Sequence, residues 1–287
     1  MITVFTPAYN RANLLPRLYE SLKQQTFKDF EWVLVDDGST DNTRETVQNF
    51  IDENVIVIRY FIQPNAGKHV AVNRGVKEAD RELFFIVDSD DYLIPGTLQF
   101  IADKAKAILT NPDFAGISGR KGYAENEAVG SLNFSEVIEA DTLDFRFKYK
   151  IEGDMAEIYK TEVLRKYPFP ESADEKFCPE ALVWNRIAQH YKMVWYPNII
   201  YLFQFLNDGL TKNIVTVRKR SPINTCLYYA ELEKMPIPVL QKLKANINYW
   251  RFSIYTRTPF LKKLRQVSLM LSIAGLPLSW WLALRDA

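Results

Sequence analysis

Four times in the first hundred residues a short apolar run stops at polar side chains, and a helical pattern follows. Ile2–Thr6 runs into Pro7-Ala8-Tyr9-Asn10, after which Leu14, Leu15, Leu18 and Leu22 recur at helical spacing. Phe30–Val35 stops at Asp36-Asp37-Gly38, where Ser39 or Thr40 can cap a helix over Thr43–Ile51. Val55–Ile62 leads through Asn65-Ala66-Gly67-Lys68 into a helix over Val70–Ala79. Leu83–Val87 ends in Asp88-Ser89-Asp90-Asp91, and Pro95-Gly96 opens a helix through Leu109. Apolar strands alternating with amphipathic helices bury both faces of a sheet when the units are βαβ. The expected fold class is therefore α/β, a mainly parallel, Rossmann-like sheet flanked by helices.

Past residue 110 the pattern is less regular. Phe114–Ser118 and Met155–Tyr159 read as strands, and Met193–Phe205 as a long aromatic-rich strand or strand pair. Pro179–Tyr191 reads as a helix with Leu182, Trp184 and Ile187 on its apolar side. Leu227–Leu232, Val239–Ile254 and Leu261–Leu284 are the helices expected beyond it. The organisation expected is one α/β domain over residues 1–210 and a basic helical extension over residues 211–287. Charge follows the same division. The net charge of +1 hides 23 basic and 31 acidic residues in 1–200, against 13 basic and 4 acidic in 201–287. Cys178 and Cys226 have neither disulfide-framework nor zinc spacing. The N-terminus lacks a basic region before its apolar run, so no signal peptide is expected and the chain is placed in the cytoplasm.

In an open parallel sheet, ligands bind in the crevice beyond the carboxyl ends of the strands. Here all four ends are polar, which goes beyond the ordinary use of Asp and Asn in turns. Asp88, Asp90 and Asp91 are the most informative, because three carboxylates within four residues repel one another unless a cation sits among them. Hard ions such as Mg²⁺ or Mn²⁺ take one or two carboxylates together with substrate phosphates. A metal bridging the protein to a phosphorylated ligand is therefore expected. No Walker A motif, no GxGxxG after the first strand and no pair of metal-spaced histidines is present, which removes support for an ATPase, a dinucleotide dehydrogenase or a zinc hydrolase. No nucleic-acid partner is expected.

The order and spacing of these pieces resemble the family 2 glycosyltransferases of the GT-A fold, of the bacterial surface-polysaccharide type. The matching segments are Thr6–Arg11, Ser21–Thr26, Val33–Asp41, Asn65-Ala66-Gly67 with Asn73 and Gly75, and Val87–Asp91, together spanning about residues 1–120. The resemblance implies a nucleotide-sugar half over 1–120 and an acceptor half over 121–210. It implies a nucleotide-sugar donor, with a UDP-sugar the commonest case, and a glycan or lipid-linked acceptor. Thr6 and Pro7 would line the nucleobase pocket, and Asp37 or Asp36 would bond the base edge. Asn65 and Lys68 would stand near the donor. Asp88-Ser89-Asp90 would be the DxD motif, with Asp90 the direct ligand of Mg²⁺ or Mn²⁺ and Asp88 nearer the ribose or a metal ligand itself. A helix-start carboxylate is the competing reading of Asp91.

The implied reaction inverts the anomeric carbon in a single displacement. Positive charge stabilises the departing nucleoside diphosphate, and a carboxylate removes the acceptor proton. Glu180 is the candidate base, with Glu175 and Asp174 as alternatives. An ordinary first-turn glutamate after Pro179 is the competing reading. Asp154 and Trp184 are weaker acceptor-side candidates. A nucleotidyltransferase is the rival enzyme class, although it would favour a glycine- and lysine-containing loop after the first strand, and Thr6–Arg11 has no glycine. A catalytically silent sugar-nucleotide-binding module is the third reading.

Val267–Leu284 carries no charge and follows Lys262, Lys263 and Arg265. Eighteen uncharged residues are at the lower limit for a membrane span, Ser268, Ser272 and Ser279 lie among them, and Trp280 and Trp281 suit a bilayer interface. An interfacial helix on an anionic membrane surface, a buried or oligomer-contact helix and a spanning helix are the three expectations. The first would make the chain peripheral at the inner face of the cell membrane.

Overall fold

The structure is a computed structural model that describes residues 1–131, 134–203 and 213–286. The chain forms two compact units. One holds Met1–Pro168 with Ile187–Phe205, the other Phe169–Arg186 with Leu206–Ala287. The expected boundary between residues 210 and 211 lies outside the described residues. The segment 169–186, read from sequence within the acceptor half, groups with the second unit.

In the first unit, β1 (Ile2–Ala8), α1 (Leu15–Lys23), β2 (Phe30–Asp36), α2 (Thr43–Glu53), β3 (Ile58–Ile62), α3 (Lys68–Glu78) and β4 (Leu83–Ile86) follow in the expected order. After them come β5 (Tyr92–Leu93), α4 (Thr97–Leu109), β6 (Phe114–Ala124), β7 (Glu127–Ala128), β8 (Ile138–Ala140), α5 (Thr142–Phe147), β9 (Met155–Lys160) and α6 (Thr161–Lys166). Helix α7 (Glu180–Ala188) begins in the second unit, and β10 (Lys192–Leu202) completes the sheet. Sheet order is β3-β2-β1-β4-β9-β6-β10-β5. β1, β2, β3 and β4 are mutually parallel, β6 and β10 are parallel to each other, and β9 runs antiparallel between β4 and β6.

Buried side chains on the sheet explain why these strands form. All seven residues of β2 are buried, and Tyr19 of α1 stacks on Phe50 of α2 with centroids 4.1 Å apart. Burying an aromatic or aliphatic side chain of this size contributes about 1.5–3 kcal/mol. At Gly75 of α3 a Cβ would lie 2.2 Å from the Phe5 ring, so helix and sheet approach as closely as they do only because that side chain is missing.

The differences from the expected elements have local causes. β3 starts at Ile58 rather than Val55, because α2 ends in a left-handed turn at Asn54 (φ 52°) and leaves Val55 exposed. β6 runs six residues beyond Ser118, through Arg120 and Lys121. The Arg120 guanidinium reaches the carbonyls of Val129 and Ser131, which satisfies a charged residue inside a strand.

The second unit holds α8 (Ile214–Arg220), α9 (Pro222–Lys234), α10 (Val239–Ser253), α11 (Phe260–Leu264) and α12 (Leu269–Arg285). The single helix expected over Leu261–Leu284 is two, because Ser268 turns its hydroxyl onto the Leu271 N–H and starts a new helix. Cys226, Tyr229, Tyr249, Trp250 and Phe252 form this unit's core.

Candidate active site

The sheet order puts β2 and β3 on one side of β1 and β4 on the other, so the connections after β1 and β4 leave in opposite directions. Such a switch point opens a crevice at the carboxyl edge of the sheet. Asp88 stands there, two residues past β4. Its carboxylate pairs with Lys68 Nζ at 2.5 Å, and its backbone N–H donates to the Tyr201 hydroxyl at 3.0 Å. Lys68 is the first residue of α3, following Gly67 at φ 96°, a backbone angle that favours glycine. Burial works against the charged form of Asp88, but Lys68, Lys121 and Arg11 outweigh it and hold the carboxyl below its usual range.

The neighbouring carboxylates behave differently. Burial, then the charge of Asp88, pushes Asp90 up. The Arg17 guanidinium donates to the Asp90 carbonyl and lies over the Tyr92 ring, 4.3 Å from its centroid. Asp91 is buried, accepts the Tyr201 hydroxyl at 2.6 Å, and is pushed to about 7 by burial and then by Asp88. Asp91 is thus tied into the protein, while Asp88 and Asp90 remain as hard oxygen donors on one short turn. Among the described residues no three His, Cys, Asp or Glu side chains converge on a metal-sized position. Two carboxylates whose joint ionisation is resisted do fit a divalent ion that completes its shell with phosphate oxygens.

The residues from β1 to α3 that the sequence assigned to the donor side lie at the same edge. Asp36 accepts the Ser39 N–H at 2.7 Å and the Tyr60 hydroxyl at 2.6 Å. Asp37 accepts Gln63 Nε2 at 2.8 Å and the N–H groups of Ala66 and Gly67 at 2.9 and 2.7 Å. A carboxylate offers about four lone-pair sites, so Asp36 keeps more free capacity than Asp37. Asp37 therefore shapes the loop carrying Asn65 and positions the start of α3. Thr6 is fully buried and accepts Trp32 Nε1 at 2.9 Å, while Pro7 is only partly buried. Asp154 is exposed, one residue after Gly153 (φ 95°).

The remaining sequence candidates belong to the second unit. Glu180 opens α7 and is partly buried. Glu175 is buried, with its two oxygens on the N–H groups of Ile223 and Asn224 at 2.6 and 2.7 Å, where it caps the first turn of α9. Asp174 is exposed at φ 64°. Trp184 is buried and packs edge-on against Phe169, centroids 5.8 Å apart.

Comparison with known proteins gives the family and the fold. The profile described as Glycosyl transferase family 2 matches residues 3–133. The GalNAc(5)-diNAcBac-PP-undecaprenol beta-1,3-glucosyltransferase of Campylobacter jejuni is 30% identical over 243 residues, spanning 82% of this chain and 73% of that protein. The chain belongs to glycosyltransferase family 2. Among solved structures, S. aureus TarS 1–349 in complex with UDP-GlcNAc superposes at a TM-score of 0.67 with 19% identity, over 99% of this chain and 88% of that one. The mannosyltransferase PcManGT of Pyrobaculum calidifontis, in complex with GDP-Man and Mn²⁺, gives 0.59 with 17% identity, over 99% of this chain and 84% of that one. The fold of the transferase is accordingly the GT-A type.

Three residues at the transferase's Asp88–Asp91 turn escaped the sequence reading. Tyr201 comes from β10, more than a hundred positions downstream, and Lys121 lies over its ring at 4.3 Å. Arg17 comes from α1. Nothing local in the sequence marked them, since Lys121 lies beyond the strand expected to end at Ser118 and the pairing of β10 with β6 and β5 is what brings Tyr201 to the turn.

Proposed function

We propose that this transferase moves a sugar from a nucleotide-sugar, a UDP-sugar in the leading case, to a hydroxyl of a glycan or lipid-linked acceptor in polysaccharide or glycolipid synthesis. The observation that carries the donor reading is the Asp88–Lys68 pair at the switch point of the sheet, two residues from Asp90. The UDP-GlcNAc complex of TarS and the undecaprenol-linked substrate named for the Campylobacter relative support the donor and acceptor classes. Asp36 is the better placed of the two strand-end carboxylates to accept a base-edge N–H, because Asp37 holds three loop donors.

Asp90 and Asp88 would hold Mg²⁺ or Mn²⁺, as the Mn²⁺ in the mannosyltransferase complex supports. A divalent ion there would neutralise charge on the departing diphosphate. Lys68 orients Asp88 and adds a positive charge at the same edge. Arg17 and Tyr201 fix the turn, so the carboxylates are in position before the donor arrives. Glu180 is assigned as the base that takes the acceptor proton during an inverting displacement. Glu175 is the weaker alternative, since its carboxylate caps α9. The reading places the transferase in the cytoplasm.

The test is a thermal-shift panel of nucleotide sugars with and without Mn²⁺, followed by measurement of nucleotide release in the presence of acceptor lipids and glycans. A shift with one donor that grows with Mn²⁺ is expected. A shift that ignores metal would remove the DxD role of Asp88 and Asp90. Binding without nucleotide release for any acceptor would leave a silent binding module.

A further inference from the structure

Helix α12 is built inside out. At about 100° per residue its seventeen positions divide into two halves. Leu271, Ser272, Gly275, Leu276, Ser279, Leu282 and Ala283 occupy one half, all of them buried or half-buried. The four buried positions of this inner half, Ser272, Gly275, Ser279 and Ala283, are all small, and two of them carry hydroxyls. Ser272 Oγ accepts Trp250 Nε1 at 2.8 Å and Asn246 Nδ2 at 3.1 Å, and Asn246 Nδ2 also donates to Glu233 at 2.8 Å. A Cβ at Gly275 would meet Ile247 at 3.0 Å, so α12 sits close against α10. The outer half holds ten exposed residues, of which only Arg285 is polar. Met270 is 80% exposed, Ile273 71%, Leu284 72%, Trp280 66% and Trp281 56%.

A helix on a water-facing surface shows the opposite arrangement. A contiguous apolar face of this kind marks an interaction surface. Charge selects the occupant. From Lys234 to Arg285 the chain carries nine Lys and Arg and no Asp or Glu. Lys262 and Arg265 are exposed just before the helix, and Arg285 at its end lies over the Trp281 ring, 5.4 Å from the centroid. Asp286, the next acid, pairs with Arg251 at 2.6 Å. A second copy of the chain would bring like charges together across a two-fold contact, whereas anionic headgroups complement them. Seventeen residues reach about 25 Å, short of the ~30 Å hydrocarbon core, and no helix among the described residues is long and apolar enough to cross a membrane.

We propose that the outer face of α12 lies in the interface of an anionic lipid membrane, with Trp280 and Trp281 at the headgroup boundary and the flanking basic residues on lipid phosphates. This does not depend on the donor or metal assignment.

The full chain is sedimented with phosphatidylglycerol-containing vesicles, with neutral phosphatidylcholine vesicles, and with the anionic vesicles at raised salt. Binding to anionic vesicles, a blue shift of Trp emission and weakening by salt are expected. The variant Trp280→Glu with Trp281→Glu should bind at least tenfold more weakly. Both side chains are exposed, so its circular dichroism and donor-induced thermal shift should match the parent, which separates lost docking from lost folding. Equal binding of parent and variant overturns the proposal, as does equal binding to neutral and anionic vesicles. A concentration-dependent dimer that the variant abolishes, with no vesicle binding, overturns it in favour of a second copy as the occupant.

Discussion

The turn at Asp88–Asp91 depends on one oxygen atom from a distant strand, and Tyr201→Phe tests that dependence. Tyr201 is fully buried. Its hydroxyl donates to Asp91 at 2.6 Å and accepts the Asp88 N–H at 3.0 Å. Phenylalanine keeps the ring and its edge-on packing against Phe85, centroids 6.2 Å apart, and removes only the hydroxyl. At pH 8, where Asp91 is mostly ionised, a hydrogen bond to it contributes about 1.5–3 kcal/mol, and a poorly solvated N–H left without its acceptor costs about 1–3 kcal/mol more. Local shifts of a four-residue turn recover part of this, so the variant should lose about 2–4 kcal/mol. Calorimetric unfolding of parent and variant measures the loss, and isothermal titration with the donor found in the thermal-shift panel measures the site. Donor affinity should fall as well, because Asp88 and Asp90 lose their fixed placement. The reasoning is refuted by a variant within about 0.5 kcal/mol of the parent whose donor affinity is unchanged.

Lys68→Met should reduce kcat/KM by about 10²–10³-fold with circular dichroism unchanged, because it removes a partly exposed positive charge from the edge where the donor diphosphate is proposed to lie, and Lys68→Arg should recover part of the loss. Glu180→Gln should keep donor binding by titration while turnover falls by about 10²–10⁴-fold; turnover near the parent's would end its assignment as the base. Glu175→Ala should cost about 1–2 kcal/mol in unfolding experiments through the lost cap on α9, with donor affinity preserved. Burial pushes the thiols of Cys178 and Cys226 up to about 12, so at pH 8 only about one in 10⁴ is thiolate. Alkylation of the folded protein should therefore be very slow at pH 8 and rise about tenfold per pH unit, while the unfolded chain reacts fully; rapid labelling of native protein at pH 8 would contradict this burial.

The parallel half of the fold was legible in sequence because its information is local. Each strand from β1 to β4 is a short apolar run, each helix has its own repeat, and each run ends in polar residues at or just past the strand end. The gathering of polar strand ends at one edge followed, since the carboxyl ends of parallel strands lie together whatever the loop lengths. The acceptor half was harder to read because β6 carries Arg120 and Lys121 within the strand, and only their partners across the sheet make that tolerable. Glu175 illustrates the same limit, because a carboxylate near a proposed base and a carboxylate capping a helix are identical in sequence. Only the distances to Ile223 and Asn224 separate the two.

What the sequence determined alone is the α/β alternation, the polar strand ends and the Asp88-Ser89-Asp90-Asp91 cluster, all set by neighbours within a few residues. Tertiary structure decided how those carboxylates differ. Lys68 holds Asp88 ionised, burial resists charge on Asp90, and Tyr201 ties Asp91 into the protein, although the three stand within four positions of one another. It also decided which side of α12 faces outward. Composition shows an apolar segment with serines and a glycine, but only packing against α10 buries Ser272, Gly275, Ser279 and Ala283 and leaves Met270, Ile273, Trp280, Trp281 and Leu284 exposed. In both places the deciding quantity is which groups from distant segments come within a few ångströms, because desolvation and hydrogen bonding act over that distance and not along the chain.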